Sequence, residues 1–238
     1  MQHPQALLFD YGGTLDTAAC HWSYVLEEGY RHAGIHLSEA DFRTAYVFAE
    51  RALAKSPIIK PDYTFRRLLE EKVQLELQSL SAQGVWNFAS TEEHDNAVDR
   101  IATFCDTFAR EHVEQSRHTL EKLHEKYKLI MVSNFYGNLP TILQTYGIAH
   151  LFDAVVESAV VGVRKPNPEI WSLGVKAAQC EPSETIAIGD SFSKDIIPAQ
   201  SIGCQTIWFK GKEWEEKEYD ETLPTHIISS LEELTELL

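Results

Sequence analysis

The chain has 238 residues, of which 44% are hydrophobic and 11% aromatic. This length and composition allow one large or two modest folded domains and exclude a disordered or fibrous protein. The formal net charge of −15 would repel phosphate backbones and anionic lipids, so we expect neither nucleic acid nor a membrane as a partner. No apolar run approaches the roughly 20 residues of a spanning helix, and no basic leader segment occurs, which favours a soluble, cytoplasmic protein of unspecified oligomeric state.

Short apolar segments rich in branched or aromatic residues indicate buried β-strands. They comprise residues 6–9, 129–132, 154–156, 185–188, 205–209 and 226–228. Because these segments are apolar without alternation, we expect both faces of their sheet to be covered. From about residue 116 onward, strands alternate with helical patterns, which predicts a parallel sheet joined by right-handed crossovers.

The region of residues 17–113 shows helical periodicity and no convincing strand. Apolar residues recur at helical spacing at Phe65, Leu68, Leu69, Val73, Leu77 and Leu80, and again at Val98, Ile101, Cys105 and Phe108. The first strand precedes this region and the other strands follow it. The sequence therefore predicts an α/β core, made of residues 1–16 and 114–238, into which an all-helical cap of residues 17–113 is inserted.

Polar residues follow three of the predicted strands, and a lysine lies in a proline-rich turn between two of them. They are Asp10, Ser133, Asn134, Lys165, Asp190 and Asp195. The carboxyl ends of parallel strands meet at one edge of the sheet, which is where open α/β sheets bind ligands. We therefore expect these side chains to form a single site.

The sequence resembles the haloacid dehalogenase superfamily, whose four motifs occur here in order and over nearly the whole chain. The matching residues are Asp10, Gly13, Thr14 and Leu15 for the first motif, D-x-D-G-T-L; Ser133 for the second; Lys165 for the third; and Asp190 and Asp195 for the fourth, G-D-x-x-x-x-D. The resemblance implies a hydrolase with a Rossmann-like core and, for an insert directly after the first motif, a helical cap.

A carboxylate such as Asp10 can attack phosphorus and form an aspartyl-phosphate, which water then hydrolyses. A magnesium ion bound by Asp10, Asp190 and the main-chain carbonyl of Gly12 would offset the repulsion between the two anions, since Mg²⁺ prefers oxygen ligands. We expect Asp195 to support this metal site from its second coordination shell or through water. The predicted cofactor is Mg²⁺, and the predicted partner is a small phosphorylated metabolite.

The remaining site residues are predicted to bind the transferred phosphoryl group. Lys165 would neutralise both the nucleophile and the phosphoryl oxygens, while the Ser133 hydroxyl would donate a hydrogen bond to one of those oxygens. Asn134 either contacts the phosphate or shapes the turn after its strand. Asp16 lies at the start of the predicted cap, where a turn or helix-cap role is favoured over catalysis.

Gly12 departs from the family pattern. In phosphatases of this superfamily, the residue two positions after the nucleophile is an Asp that protonates the leaving oxygen and then activates water. Glycine can do neither, and loss of a general acid/base usually slows a reaction by about 10²–10⁴-fold. The leading prediction is therefore a magnesium-dependent phosphatase that is slow for alkoxide leaving groups and less impaired for easier ones.

Other functions are compatible with Gly12. Dehalogenases of the superfamily lack the second Asp and need no metal, although the presence of Asp190 and Asp195 counts against them. Phosphonate hydrolases have a small residue there and would require a cap lysine, such as Lys55 or Lys60, to form a Schiff base. A catalytically weak protein that binds a phosphorylated metabolite is a third alternative.

Several cap residues could reach a substrate, although their sequence patterns favour structural roles. The aromatic residues Trp22, Tyr24, Tyr46 and Phe48 are at helical spacing, which is more typical of a core than of a binding site. The basic residues are expected on helix surfaces; they are Arg51, Lys55, Lys60, Arg66 and Arg67.

Overall fold

The computed structural model describes residues 4–215 and 217–238. Six strands of the described chain form one parallel sheet in the order β3-β2-β1-β4-β5-β6. The strands are β1 (Ala6–Phe9), β2 (Lys128–Ser133), β3 (Ala154–Glu157), β4 (Thr185–Gly189), β5 (Gln205–Phe209) and β6 (His226–Ile228). The predicted strands and the α/β fold class are confirmed, with strand ends that differ by at most one residue.

Strand β1 is buried on both faces, as its unbroken apolar sequence predicts. Successive side chains point to opposite faces of a sheet. Leu7 and Phe9 accordingly belong to the hydrophobic cluster that continues into the inserted helices. Ala6 and Leu8 pack on the other face, in the cluster that contains Trp171. The strand that leads to the first motif is therefore fixed from both sides.

The chain between β1 and β2 is helical. It forms α1 (Trp22–His32), α2 (Glu39–Lys55), α3 (Phe65–Ala82) and α4 (Thr91–His124). Side-chain oxygens of Ser38, Thr64 and Ser90 accept main-chain hydrogen bonds at the starts of α2, α3 and α4, which satisfies N–H groups that the helices leave unpaired. The predicted boundary between residues 113 and 114 lies inside α4, and the division into two domains stays a prediction.

The helices that follow β2 cover the sheet. They are α5 (Leu139–Thr145), α6 (Ser158–Val161), α7 (Glu169–Ala178), α8 (Ile197–Ser201) and α9 (Leu234–Leu237). A π-helical turn, Phe192–Ile196, follows β4 and contains Asp195. Irregular turns of this type are frequent at functional sites. Within the described residues, no helix combines the length and apolarity needed to cross a membrane.

Candidate active site

Asp10 lies at the carboxyl end of β1. In the sheet, β2 and β3 lie on one side of β1 and β4, β5 and β6 lie on the other, so the connections change direction at this strand. The main-chain N–H of Asp10 donates a hydrogen bond to the carbonyl of Ile188 in β4 (2.9 Å), and its side chain is almost enclosed, with 6% of the residue exposed. The Lys165 Nζ lies 2.6 Å from Asp10 Oδ1, and the Ser133 Oγ donates to the same oxygen at 3.1 Å. One carboxylate oxygen is thus held by two donors from other segments.

Asp10, Asp190 and Asp195 form a group in which one carboxylate oxygen of each residue lies within 4.8 Å of one oxygen of each of the others. Lys165 Nζ also contacts Asp195 Oδ1, at 2.7 Å. The other Asp195 oxygen accepts a hydrogen bond from the main-chain N–H of Ser191 (2.9 Å), so both of its oxygens are engaged. The strand ends therefore bring these residues together, as the topology of a parallel sheet requires.

Two glycines permit this close approach of carboxylates. A Cβ atom at Gly13 would lie 2.6 Å from the carboxylate oxygens of Asp190, and Gly13 has a φ of +98°, which side-chain-bearing residues rarely adopt. A Cβ at Gly189 would collide with the carboxylate of Asp195. Space therefore requires both glycines, and backbone conformation is a second requirement at Gly13 alone.

The clustering of negative charge perturbs the titration of the site. Burial and then the carboxylates of Asp10 and Asp195 raise the pKa of Asp190 well above its usual range. Burial also raises the pKa of Asp195 to about 6, although Lys165 opposes that shift. Burial alone would lower the pKa of Lys165, but the attraction of Asp10 and Asp195 raises it overall, so Lys165 stays charged.

This group of oxygens could hold a divalent cation. Three carboxylates face a single lysine, and a hard cation that prefers oxygen ligands would relieve the excess negative charge. Because both oxygens of Asp195 are engaged, by Lys165 and by Ser191, Asp10 and Asp190 are the carboxylates better placed to bind a cation. The roles predicted for Gly12 and Asp195 at the metal stay predictions.

Thr14 is a site residue to which the sequence analysis assigned no role. Its hydroxyl donates to Asp190 Oδ1 (3.0 Å) and accepts from the Asp190 N–H (3.1 Å), and it lies 3.4 Å from Asp10 Oδ2. Thr14 therefore ties the loop after β1 to the loop after β4. Its place in the first motif was the available signal, but its partner is 176 residues away in the chain.

Asn134 holds the segment that contains Lys165. Its Oδ1 accepts from the main-chain N–H of Lys165 (2.8 Å), and its Nδ2 donates to the Lys165 carbonyl (3.0 Å). These contacts join the loop after β2 to the Lys165 segment, which is neither of the two roles predicted from the sequence. Contact between Asn134 and a substrate stays a prediction.

Gly12 lies beside Asp10 and lines the cavity above it. A Cβ atom built at Gly12 meets no other atom within 4 Å, in contrast to Gly13. The position therefore has room for the aspartate side chain that the family pattern places there. The absence of an acid at this position is a property of the sequence and is not forced by packing.

The cavity above Asp10 has a volume of about 1080 Å³ and extends between the sheet and the inserted helices. Its wall on the helical side includes His21, Glu50 and Lys72, which the sequence analysis did not single out. Of the cap aromatics considered from the sequence, Trp22 and Tyr46 line it. Tyr46 packs in the hydrophobic core and Trp22 packs against it, and both also line the cavity in which a substrate would bind.

The basic cap residues fall into two groups. Lys55 lines the cavity, whereas Arg51, Lys60, Arg66 and Arg67 are not among the described residues that line it. Arg66 pairs with Asp99 at 2.7 Å, and Arg67 pairs with Glu70 and Glu71. These ion pairs agree with the helix-surface role expected for Arg66 and Arg67.

Asp16 is fully buried next to the site, where it shapes the turn that leads into α1. Its Oδ1 accepts from the N–H of Gly13 (2.7 Å), and its Oδ2 accepts from the indole N–H of Trp22 (3.0 Å). Burial raises the pKa of Asp16 to about 8, against the opposing effect of these hydrogen bonds. These contacts support the structural role expected from the sequence.

The raised pKa of Asp16 gives a pH dependence of stability. In the folded protein, Asp16 keeps its proton at pH values at which the unfolded chain has lost it. The contribution of Asp16 to the free energy of unfolding is therefore complete below about pH 3.8 and is lost as the pH rises through about 8. The free energy of unfolding should fall by up to about 1.4 kcal/mol per pH unit from this group. In urea titrations, Asp16→Asn should lack this decline, so its curve and that of the wild type diverge; parallel curves would contradict the assignment.

The strand order, the helical insertion after β1 and the charged site at the end of β1 define the class of this protein. The family model of the haloacid dehalogenase-like hydrolases, which describes the sequences of that family, matches residues 4–203 of this chain. The chain therefore belongs to this family. The resemblance drawn from the four motifs is thereby confirmed, and the protein is a hydrolase of that family.

Individual relatives are named more narrowly. The chain is 28% identical to haloacid dehalogenase-like hydrolase domain-containing protein 3 of Danio rerio over 217 residues, which cover 86% of this chain and 84% of that protein. It is 38% identical to glyceraldehyde 3-phosphate phosphatase of Pyrococcus furiosus over 92 residues, which cover 37% of each protein. The chain thus matches little more than a third of that phosphatase.

The fold is also similar to a solved structure. YfnB from Bacillus subtilis, bound to magnesium, superimposes with a TM-score of 0.61 at 20% identity over 100% of this chain and 99% of that one. At this level of identity the similarity concerns the fold alone.

Proposed function

We propose that this hydrolase is a magnesium-dependent phosphatase that transfers a phosphoryl group from a small metabolite to Asp10 and then to water. The observation that carries the proposal is the environment of the Asp10 carboxylate. It is held by Lys165 at 2.6 Å and Ser133 at 3.1 Å, at the base of a large cavity and beside Asp190 and Asp195. A buried carboxylate that a lysine and a hydroxyl hold in one orientation is suited to nucleophilic attack on phosphorus.

Each residue has a defined part in this proposal. Asp10 supplies the attacking oxygen, and Lys165 offsets the charge of both the nucleophile and the phosphoryl oxygens. The Ser133 hydroxyl now donates to Asp10 Oδ1. When substrate is bound, it would donate instead to an oxygen of the transferred phosphoryl group. Mg²⁺, when bound by Asp10, Asp190 and the Gly12 carbonyl, would supply further positive charge at the phosphoryl oxygens.

Gly12 restricts which substrates this site can use. Neither the departing oxygen nor the water that attacks the aspartyl-phosphate finds an acid or base at position 12. The proposed substrates are therefore those whose leaving oxygen departs without an acid supplied by the enzyme, such as acyl phosphates. The similarity to a protein named glyceraldehyde 3-phosphate phosphatase supports phosphate ester hydrolysis in general.

The alternatives receive less support. A dehalogenase that needs no metal has no use for three facing carboxylates. A phosphonate hydrolase needs an uncharged lysine in the cavity. Of the two lysines predicted for that role, Lys55 lines the cavity, whereas Lys60 is not among the described residues that line it. The buried lysine on the helical side of the cavity is Lys72, and although burial would lower its pKa, Glu50 raises that pKa overall and keeps the amine protonated.

The metal and leaving-group dependence test the proposal together. Protein dialysed against EDTA should release no phosphate from acetyl phosphate, and addition of Mg²⁺ should restore the release. With Mg²⁺ present, kcat/KM for acetyl phosphate should be at least about 10²-fold higher than that for an alkyl phosphate, because only the alkoxide needs a proton to leave. Release that is unaffected by EDTA, or equal kcat/KM values for the two substrates, would contradict the proposed chemistry.

A further inference from the structure

A second polar cluster faces Asp10 across the cavity. It consists of Glu50 from α2, Lys72 from α3 and Tyr136 from the loop after β2, and is called the cap cluster below. Lys72 Nζ forms an ion pair with Glu50 Oε1, and the Tyr136 hydroxyl donates to Glu50 Oε2 at 2.9 Å. All three residues line the cavity that Asp10 lines.

The two charged residues of the cap cluster differ in burial. Lys72 is only 5% exposed, and its Nζ lies 4.2 Å from the centre of the Tyr46 ring. Removing two opposite charges from water costs more free energy than forming an ion pair at the surface. Buried ion pairs therefore contribute little net stability. Yet 37% of the Glu50 side chain is accessible, which leaves its carboxylate open to the cavity.

The charge of the cluster limits what it can bind. The positive charge of Lys72 is balanced by Glu50, so the cluster offers no surplus charge to a second phosphate or a carboxylate. An accessible carboxylate accepts further hydrogen bonds from hydroxyl groups. The Tyr136 hydroxyl donates its proton to Glu50, so its oxygen is an acceptor, whereas the Lys72 ammonium has N–H donors beyond the one that pairs with Glu50. Hydroxyl groups both donate and accept, and they match this combination.

We propose that the cap cluster binds the hydroxyl groups of the leaving group and that the substrates are sugar phosphates esterified at the anomeric oxygen. This inference rests on the proposed phosphatase function. It joins two observations. The cap cluster lines the cavity with groups that can form hydrogen bonds to hydroxyl groups, and the glycine at position 12 cannot protonate a departing oxygen. The anomeric oxygen leaves more easily than an ordinary alkoxide because the ring oxygen withdraws electron density from it.

The reaction balances with water as the only co-reactant. An oxygen of Asp10 attacks phosphorus, and the bond between phosphorus and the anomeric oxygen breaks with its electron pair on the sugar. The sugar oxygen takes a proton from solvent water. A second water then attacks phosphorus of the aspartyl-phosphate, which releases inorganic phosphate and restores the Asp10 carboxylate.

The test compares phosphates that differ in one property at a time. Glucose 1-phosphate and ribose 1-phosphate contain hydroxyl groups and an anomeric leaving oxygen, glucose 6-phosphate contains hydroxyl groups with an ordinary alkoxide, and propyl phosphate contains neither. Acetyl phosphate reports the chemical step alone. We expect kcat/KM for at least one of the two anomeric phosphates to exceed that for propyl phosphate and glucose 6-phosphate by about 10²-fold.

Variants connect that preference to the cap cluster. Glu50→Gln should lower kcat/KM for the preferred anomeric phosphate by about 10-fold or more and change that for acetyl phosphate by less than about 3-fold. Tyr136→Phe, which keeps the Glu50–Lys72 pair and so tolerates folding better, should act in the same direction. Glu71→Gln is the matched control, because Glu71 pairs with Arg67 and is not among the described residues that line the cavity.

The outcomes separate the inference from the function on which it rests. Equal losses for acetyl phosphate and the sugar phosphate in both Glu50→Gln and Tyr136→Phe would show that the cluster only packs the cap, and would overturn the inference. Turnover of acetyl phosphate without preference for either anomeric phosphate would also overturn it while the phosphatase function stands. If none of these phosphates is hydrolysed, the proposed function itself fails.

Discussion

Asp10→Asn should lower phosphate release from acetyl phosphate by about 10⁴-fold or more, which corresponds to about 5.5 kcal/mol of transition-state stabilisation. The amide has the size of the carboxylate but lacks the negative charge and the lone-pair reactivity of a nucleophile. Ser133 can still donate to the amide oxygen, and Lys165 keeps its ion pair with Asp195 at 2.7 Å. The loss should therefore occur in kcat, with the folded structure retained.

Asp153→Asn provides the matched control for this substitution. The side chain of Asp153 is also bonded to the sheet, since its Oδ2 accepts a hydrogen bond from the main-chain N–H of Leu129 in β2. Asp153 is not among the described residues that line the cavity. Steady-state kinetics and circular dichroism of both variants should show normal folds and a defect in Asp10→Asn alone. An Asp10→Asn protein with activity within tenfold of the wild type would exclude Asp10 as the nucleophile.

Gly12→Asp should increase kcat/KM for an alkyl phosphate by about 10²–10⁴-fold, and should increase kcat/KM for acetyl phosphate much less. The new carboxyl group would protonate the departing alkoxide, whereas an acyl phosphate leaves as a carboxylate that needs no proton. The substitution is sterically allowed, because a Cβ at position 12 meets no atom within 4 Å. The ratio of kcat/KM values for the two substrates measures this selectivity directly.

Gly12→Asn separates proton transfer from a change in shape. The asparagine side chain occupies the same space as aspartate but cannot protonate the leaving group, so it should leave the alkyl phosphate rate near that of the wild type. If Gly12→Asn raises the rate as much as Gly12→Asp, or if neither variant changes it, the missing acid is not what limits this enzyme.

The strands and the location of the site could be predicted because both follow from local sequence. Unbroken apolar segments such as residues 6–9 bury themselves on both faces of a sheet, and the polar residue after each strand falls at the same edge. The long helix α4 was predicted only in part, since its apolar periodicity does not reveal that one helix spans both the inserted region and the approach to β2.

The cap cluster could not be predicted in the same way. Lys72 and Glu76 interrupt the apolar stripe of α3 at positions that face the interior, and a charged residue at such a position is a signal of a buried partner. The sequence does not show which residue that partner is. Glu50 is 22 residues from Lys72 and 86 from Tyr136, and their contact depends on how α2, α3 and the loop after β2 pack together.

The most direct test of the central claim is to trap the covalent intermediate on Asp10. Because Gly12 supplies no base to activate water, hydrolysis of the aspartyl-phosphate should be slow enough for the intermediate to accumulate. After rapid mixing with acetyl phosphate and Mg²⁺ and quenching in acid, peptide mass spectrometry should find one phosphoryl group on the peptide that contains Asp10, less of it in Gly12→Asp and none in Asp10→Asn. Phosphate release by the wild type with no phosphoryl group on that peptide, or with the group on another residue, would contradict the account.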